Sequence, residues 1–219
     1  RQLMEKLIQM RKRLAPVKLE YSRKLDAAAI TTICREIGLP EQYTFLCDTP
    51  LEFNFFVEIK NMLWDRKELF YDRMVQTMPE DFNKACSIMG QIEEKDRFLY
   101  FPYQSIKPYL QLLNEAAHNP DVDSIKITLY RVAKNSRIVE SLIEAAENGK
   151  EVVVLVELRA RFDEENNLNW SRRLEDAGCR VIYGLDNLKV HSKLCVITYH
   201  DGDQIKYITQ VGTGNYNES

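Results

Sequence analysis

Paired cysteines are missing from this sequence. The five present, Cys34, Cys47, Cys86, Cys179 and Cys195, are odd in number and scattered, and no C-x-x-C occurs. That spacing argues against a zinc site or a disulfide framework and fits reduced thiols in a cytoplasm. No apolar run approaches the roughly 18 residues that a membrane-spanning helix needs, and no secretory signal is visible. Neither sign of charge dominates: 30 Lys and Arg stand against 33 Asp and Glu, a formal net charge of -3. A basic coat for nucleic acid is therefore not expected, and any phosphate site has to be a local cluster. No internal repeat or low-complexity stretch appears. With 219 residues, 45% of them apolar, the chain is long enough for one large domain or two smaller ones. It opens on Arg1 and stops at "NYNES" just after a glycine-rich stretch, so it reads as a piece of a longer protein.

What is there divides near residue 80, where periodicity is lost between about Leu69 and Asp81. Before that point the pattern is a small mixed α/β unit. "RQLMEKLIQMRKRL" carries a helical stripe of Leu3, Met4, Leu7 and Ile8, and "PVKLEYS" alternates as a half-exposed strand. Asp26 and Gly38 bracket a helix in "AAAITTICREIG", "YTFLC" is a second strand, and Pro50 suits the first position of a further helix. Packing and subunit contacts are the role expected of this unit. From residue 81 the rhythm becomes helix, "SIKITLY" strand, "SRIVESLIEAAENGK" helix, "EVVVLVELRARF" strand, "NNLNWSRRLEDAG" helix and "CRVIYG" strand. That alternation predicts an α/β sandwich on a parallel sheet, with "VVVLV" an inner strand. "LKVHSKLCVITYH" and "QIKYITQV" flank Asp201-Gly202, a hairpin signal.

The chemistry concentrates late in the chain. Within "LKVHSKLCVI" His191 and Lys193 stand two apart, so a strand running through both projects them to one face. One hairpin later "VGTGNYN" offers Gly212 and Gly214, where backbone can approach a ligand, with Thr213 and Asn215 beside them. A histidine, a lysine and such a loop make a phosphate pocket with its own nucleophile, since neutral imidazole attacks phosphorus while the donors hold the oxygens. Arg131 and Arg161 follow the carboxyl ends of two parallel strands, where open α/β sheets bind ligands, and their planar forks suit phosphates. Asp163, Glu164 and Glu165 pair with Arg161, orient it or hold Mg²⁺; the pattern leaves these open. His118 and His200 read as structural, and Cys195 as a packed thiol.

From "FPYQS" onward, and above all in "IKITLYRVAKNSRIVESLIEAAENGKEVVVLVELRARFDEENNLNWSRRLEDAGCRVIYG", "LKVHSKL" and "GTGNYN", the chain resembles the first phospholipase-D-like catalytic domain of bacterial polyphosphate kinase. Residues 1–80 resemble the closing part of that family's head domain, and 81–219 the catalytic domain, truncated. The resemblance implies an ATP:polyphosphate phosphotransferase in which His191 takes the γ-phosphate of ATP and passes it reversibly to inorganic polyphosphate. Arg131 and Arg161 match the family's magnesium-phosphate positions, and Lys193 and Asn215 match the lysine and asparagine of the wider superfamily. Mg²⁺, ATP and ADP, a homo-oligomer and a cytoplasmic place, peripheral to the inner membrane in some settings, are implied with it. No nucleic-acid partner is. The phospholipase-like signature has an Asp where this chain has Thr198, and the family commonly shows histidines where Tyr100 and Phe101 stand. A phosphodiesterase or nuclease, or a non-catalytic polyanion-binding module, are the other readings. The superfamily site draws on two such domains, so this stretch alone is expected to lack kinase activity.

Overall fold

The computed structural model describes residues 2–11, 13–72, 74–83, 85–158, 160, 164–184, 188–216 and 218, the side chain of Leu3 apart. They fall into two compact units, Leu7–Arg73, and Met74–Ser219 with Arg1–Lys6. Among them no helix is long and apolar enough to cross a membrane.

The first unit holds the latter part of α1 (Gln2–Arg11), whose residues up to Lys6 count with the second, and contains β1 (Leu19–Tyr21), α2 (Ala27–Ile37), β2 (Thr44–Leu46) and α3 (Phe55–Met62). β1 and β2 pair in parallel, Leu19 with Thr44. Asp26 caps α2 as its sequence position requires, its carboxylate accepting from the Ala29 N–H at 2.7 Å, and so satisfies an amide that the first turn leaves unpaired. Pro50 does not open the next helix: α3 starts five positions later, with Asn54 as its cap residue and no capping side-chain bond.

The second unit contains α4 (Ile88–Glu94), α5 (Lys107–His118), β3 (Val122–Leu129), α6 (Arg137–Glu147), β4 (Glu151–Val156), α7 (Glu164–Asp176), β5 (Arg180–Ile182), β6 (Lys193–Asp201) and β7 (Gln204–Gly212). The sheet order is β5-β4-β3-β6-β7. β3, β4 and β5 are parallel neighbours, as crossover helices demand, while β6 returns antiparallel to β3 and forms a hairpin with β7. Gly202 makes the hairpin turn possible with φ of 60°, a region that costs a Cβ-bearing residue.

Alternation decides the core. Along β3, Ile125, Ile127 and Leu129 are buried, and along β6, Lys193, Cys195, Ile197 and Tyr199 are. Leu113 of α5, Ile138 and Leu142 of α6, and Leu174 of α7 complete the apolar layer, with 0% exposure each. Burying each of these large side chains is worth about 1.5–3 kcal/mol before conformational entropy is set against it. Cys195 is 1% exposed and burial pushes its thiol up to about 12, so it is a packing residue.

Candidate functional site

The site lies past the carboxyl ends of β3 and β4. β3 ends at Leu129, and Tyr130 and Arg131 come directly after it. α7 fixes that turn through three side-chain donors. Asn167 Nδ2 donates to the Tyr130 carbonyl at 2.9 Å, Asn166 Nδ2 to Val132 at 3.1 Å, and Trp170 Nε1 to Ala133 at 3.1 Å. Asn167 also donates to the carbonyl of Glu157 at 3.1 Å, so one buried amide ties the ends of two neighbouring strands together. The run "NNLNW" therefore serves to position the rim.

Tyr130 is the centre of the cluster. Its ring is 9% exposed and meets the His191 ring edge-on, centroids 4.8 Å apart and planes at 80°. Three cations approach the same ring: Lys193 Nζ at 5.2 Å, Lys189 Nζ at 5.4 Å and Arg131 Cζ at 5.9 Å from its centroid. Neither Tyr130 nor Lys189 was expected from the sequence pattern. The available signal was adjacency: Tyr130 precedes Arg131, and Lys189 stands two before His191.

His191 is not inside a strand. The β3–β6 ladder ends at the pair Ile127–Cys195, and β6 begins at Lys193. His191 is exposed and belongs to the extended lead-in, whereas Lys193 is 3% exposed on the core face. The expectation that strand parity projects the two side chains together is thus corrected. They converge because each reaches the Tyr130 ring. Main-chain braces hold the lead-in on both sides of His191. Before it, Glu157, 2% exposed, accepts the Val190 N–H at 2.9 Å through Oε2. After it, Thr128 Oγ1 donates to the Ser192 carbonyl at 2.8 Å and accepts the Leu194 N–H at 3.1 Å.

Lys193 donates to the carbonyl of His191 at 2.5 Å. No carboxylate among the described residues pairs with it, and desolvation holds its ammonium below the ordinary lysine value, with the Tyr130 phenol opposing. A buried cation of this kind is costly unless an anion joins it.

The glycine loop is brought to the same place. Gly212 lies directly across from Lys193 in the β6–β7 register. Tyr216 forms a parallel bridge with Val132, the residue after Arg131, and is anchored by stacking on Tyr109 at 5.5 Å and by donating to Gln210 Oε1 at 2.6 Å. Beyond it the Glu218 carboxylate caps α6, accepting from Ser136 Oγ at 2.6 Å and from the amides of Arg137 and Ile138 at 2.8 and 3.2 Å. The loop is thus pinned at both ends, while Thr213, Gly214 and Asn215 between them are exposed. A Cβ on Gly212 would lie 2.9 Å from Gln210 Nε2, but one on Gly214 would meet nothing within 4 Å. Nothing among the described residues requires glycine at 214, which leaves room for close ligand approach.

His191, Lys193 and Arg131 therefore gather around Tyr130, with the 212–215 loop alongside. Arg161 and Asp163 lie outside the described residues, and Glu164 and Glu165 form the first turn of α7. No group of three His, Cys, Asp or Glu among the described residues could hold a metal ion. A guanidinium is no metal ligand, so Arg131 would contact phosphate oxygens rather than a cation. His118 and His200 are elsewhere: His118 Nδ1 meets the Asn114 carbonyl at 2.9 Å, and His200 Nε2 meets Asp123 at 2.8 Å. Thr198, at the position of the superfamily's acid, is half-buried on β6.

Comparison with known proteins identifies the family. The family model described as polyphosphate kinase C-terminal domain 1 matches residues 87–219. The polyphosphate kinase of Halalkalibacterium halodurans is 39% identical over 217 residues, covering 98% of this chain and 31% of that protein. The polyphosphate kinase of Streptomyces coelicolor is 39% identical over 221 residues, with 98% and 29% coverage. The crystal structure of polyphosphate kinase from Porphyromonas gingivalis superposes with a TM-score of 0.56 at 42% identity, over 72% of this chain and 28% of that one. The chain thus spans less than a third of the length of these relatives. The family-model match over more than half of the chain, together with its phospholipase-D-like α/β fold, places the chain in the polyphosphate kinase family.

Proposed function

We propose that this segment carries the nucleophilic half of an ATP:polyphosphate phosphotransferase site, and that His191 is its phosphate acceptor. The observation that supports this best is Lys193, a nearly buried ammonium without a carboxylate partner among the described residues, set beside an exposed imidazole and an open glycine loop. A phosphate supplies the missing counter-charge. An imidazole nitrogen of His191 attacks the γ-phosphorus of ATP, the bond to the β-bridging oxygen breaks, and ADP leaves. The resulting phosphoramidate is then attacked by a terminal oxygen of polyphosphate, which lengthens the chain and frees the histidine. Both steps are reversible. Lys193, Arg131, Arg161 and Asn215, with the amides of Gly212, Thr213 and Gly214, hold the oxygens while charge redistributes. Mg²⁺ accompanying the nucleotide would supply further charge screening, with Arg131 and Arg161 gripping the phosphate oxygens.

In this reading residues 1–80 close a head domain and residues 81–219 are the first catalytic domain, with a second such domain completing the pocket in a cytoplasmic homo-oligomer. The test is acid-labile phosphate labelling from γ-labelled ATP in a full-length kinase carrying this segment. His191→Ala abolishes labelling if His191 is the acceptor. Labelling at the wild-type level would remove His191 from that role.

A further inference from the structure

We infer that Thr128 is a positioning residue for the His191 imidazole: its hydroxyl, at the point where the β3–β6 ladder stops, sets the direction in which the histidine is presented. This rests on the reading of His191 as phosphate acceptor.

β3 continues past the end of its ladder with β6. Thr128 and Leu129 remain in register with β4, opposite Leu155 and Val156, but the β6 side has no backbone pair beyond Ile127–Cys195. The Thr128 side chain takes over there. Its one hydrogen is committed to the Ser192 carbonyl at 2.8 Å and a lone pair to the Leu194 N–H at 3.1 Å, so both capacities of the hydroxyl are used in a fixed sense. Ser192 directly follows His191. Among the described residues no group hydrogen-bonds a ring nitrogen of His191; its ring makes a T-shaped contact with Tyr130, and the residue is exposed. A histidine nucleophile is commonly aimed by a partner on its second nitrogen. Here the aim has to come from the main chain, which Thr128 and Glu157 clamp on either side of the residue.

Thr128→Val keeps the β-branched shape that suits a strand and removes both bonds. Thr128→Ser keeps the hydroxyl. In a full-length kinase carrying this segment, Thr128→Val is expected to melt within about 4 °C of wild type. Its single-turnover rate of histidine labelling falls about 10- to 100-fold, the scale of a misplaced reacting group, while the KM for ATP stays within about twofold. Thr128→Ser recovers the rate to within about threefold of wild type, because the hydroxyl is what matters. Wild-type labelling by Thr128→Val, with none by His191→Ala, would refute the role of Thr128 and leave the acceptor assignment standing. Equal slowing by both Thr128 variants, or a rise in KM at unchanged kcat, also refutes it. Labelling that survives in His191→Ala overturns both.

Discussion

Replacing Lys193 with Met separates the cost of burying a cation from its benefit. Lys193 is 3% exposed, and its ammonium is held by the His191 carbonyl at 2.5 Å and lies 5.2 Å from the Tyr130 ring centre. Burial lowers its pKa from the ordinary 10.5. The sign follows from linkage. Between the lowered folded value and the unfolded value the unfolded chain binds the extra proton, so stability rises with pH across that window. Below the window the folded state bears the full desolvation cost. Methionine has a similar shape and no charge, so without ligand Lys193→Met should melt at or above the wild-type temperature and lose that pH slope. With polyphosphate the order reverses. A charge-assisted hydrogen bond is worth about 1.5–3 kcal/mol, and 1.4 kcal/mol is about a factor of ten. The variant should therefore bind tripolyphosphate about 10- to 150-fold more weakly. Thermal melts of a full-length kinase at about pH 7 and about pH 10, with and without tripolyphosphate, read both effects. A lower melting temperature without ligand, together with an unchanged ligand-induced shift, would refute the reasoning.

Two further outcomes follow from the same geometry. Gly214→Ala places a methyl where no described residue lies within 4 Å, so stability should hold or rise by up to about 1 kcal/mol. Tripolyphosphate affinity, measured by titration calorimetry, should fall about tenfold as the methyl blocks backbone approach; unaltered binding would exclude such an approach. The thiols should also divide by burial: Cys179 is pushed up to about 11 and Cys195 to about 12, whereas Cys86 is exposed. In the native protein at about pH 8, an aromatic disulfide reagent should label Cys86 quickly and reach the other two only on unfolding. Equal rates would show that the β6 core face is open to solvent.

The parallel part of the fold was legible because each element announces both its interior and its ends. Ser136 caps α6 by accepting from the Val139 N–H at 3.3 Å, and "VVVLV" can only be an inner strand. The hairpin was equally plain, since Asp201-Gly202 encodes its own turn. Pro50 misled because first-turn chemistry permits a helix without compelling one, and the apolar run that sustains α3 begins only at Phe55. In the candidate site, residues with distinctive chemistry were legible as candidates from their types and order: His191, Lys193, Arg131 and the glycine loop. Their supports were not. Thr128, Glu157 and Asn167 act through bonds to main-chain groups 33 to 66 positions away or to neighbouring strand ends. A one-dimensional pattern has no mark for a hydroxyl that continues a ladder. It also overextended β6, since the alternation of "LKVHSKL" says nothing of where the partner strand stops pairing.

The Glu218 carboxylate at the start of α6 has a consequence for where a polyanion can settle. Exposed helix origins attract phosphate through their free amides and local positive field. At α6 a tethered side chain already fills that berth, contacting Ser136, Arg137 and Ile138. An incoming phosphate must expel an anion there, whereas at Lys193 it displaces none among the described residues. With that berth stoppered from within, a polyanion reaching this face would find its open counter-charge at Lys193 rather than at the start of α6.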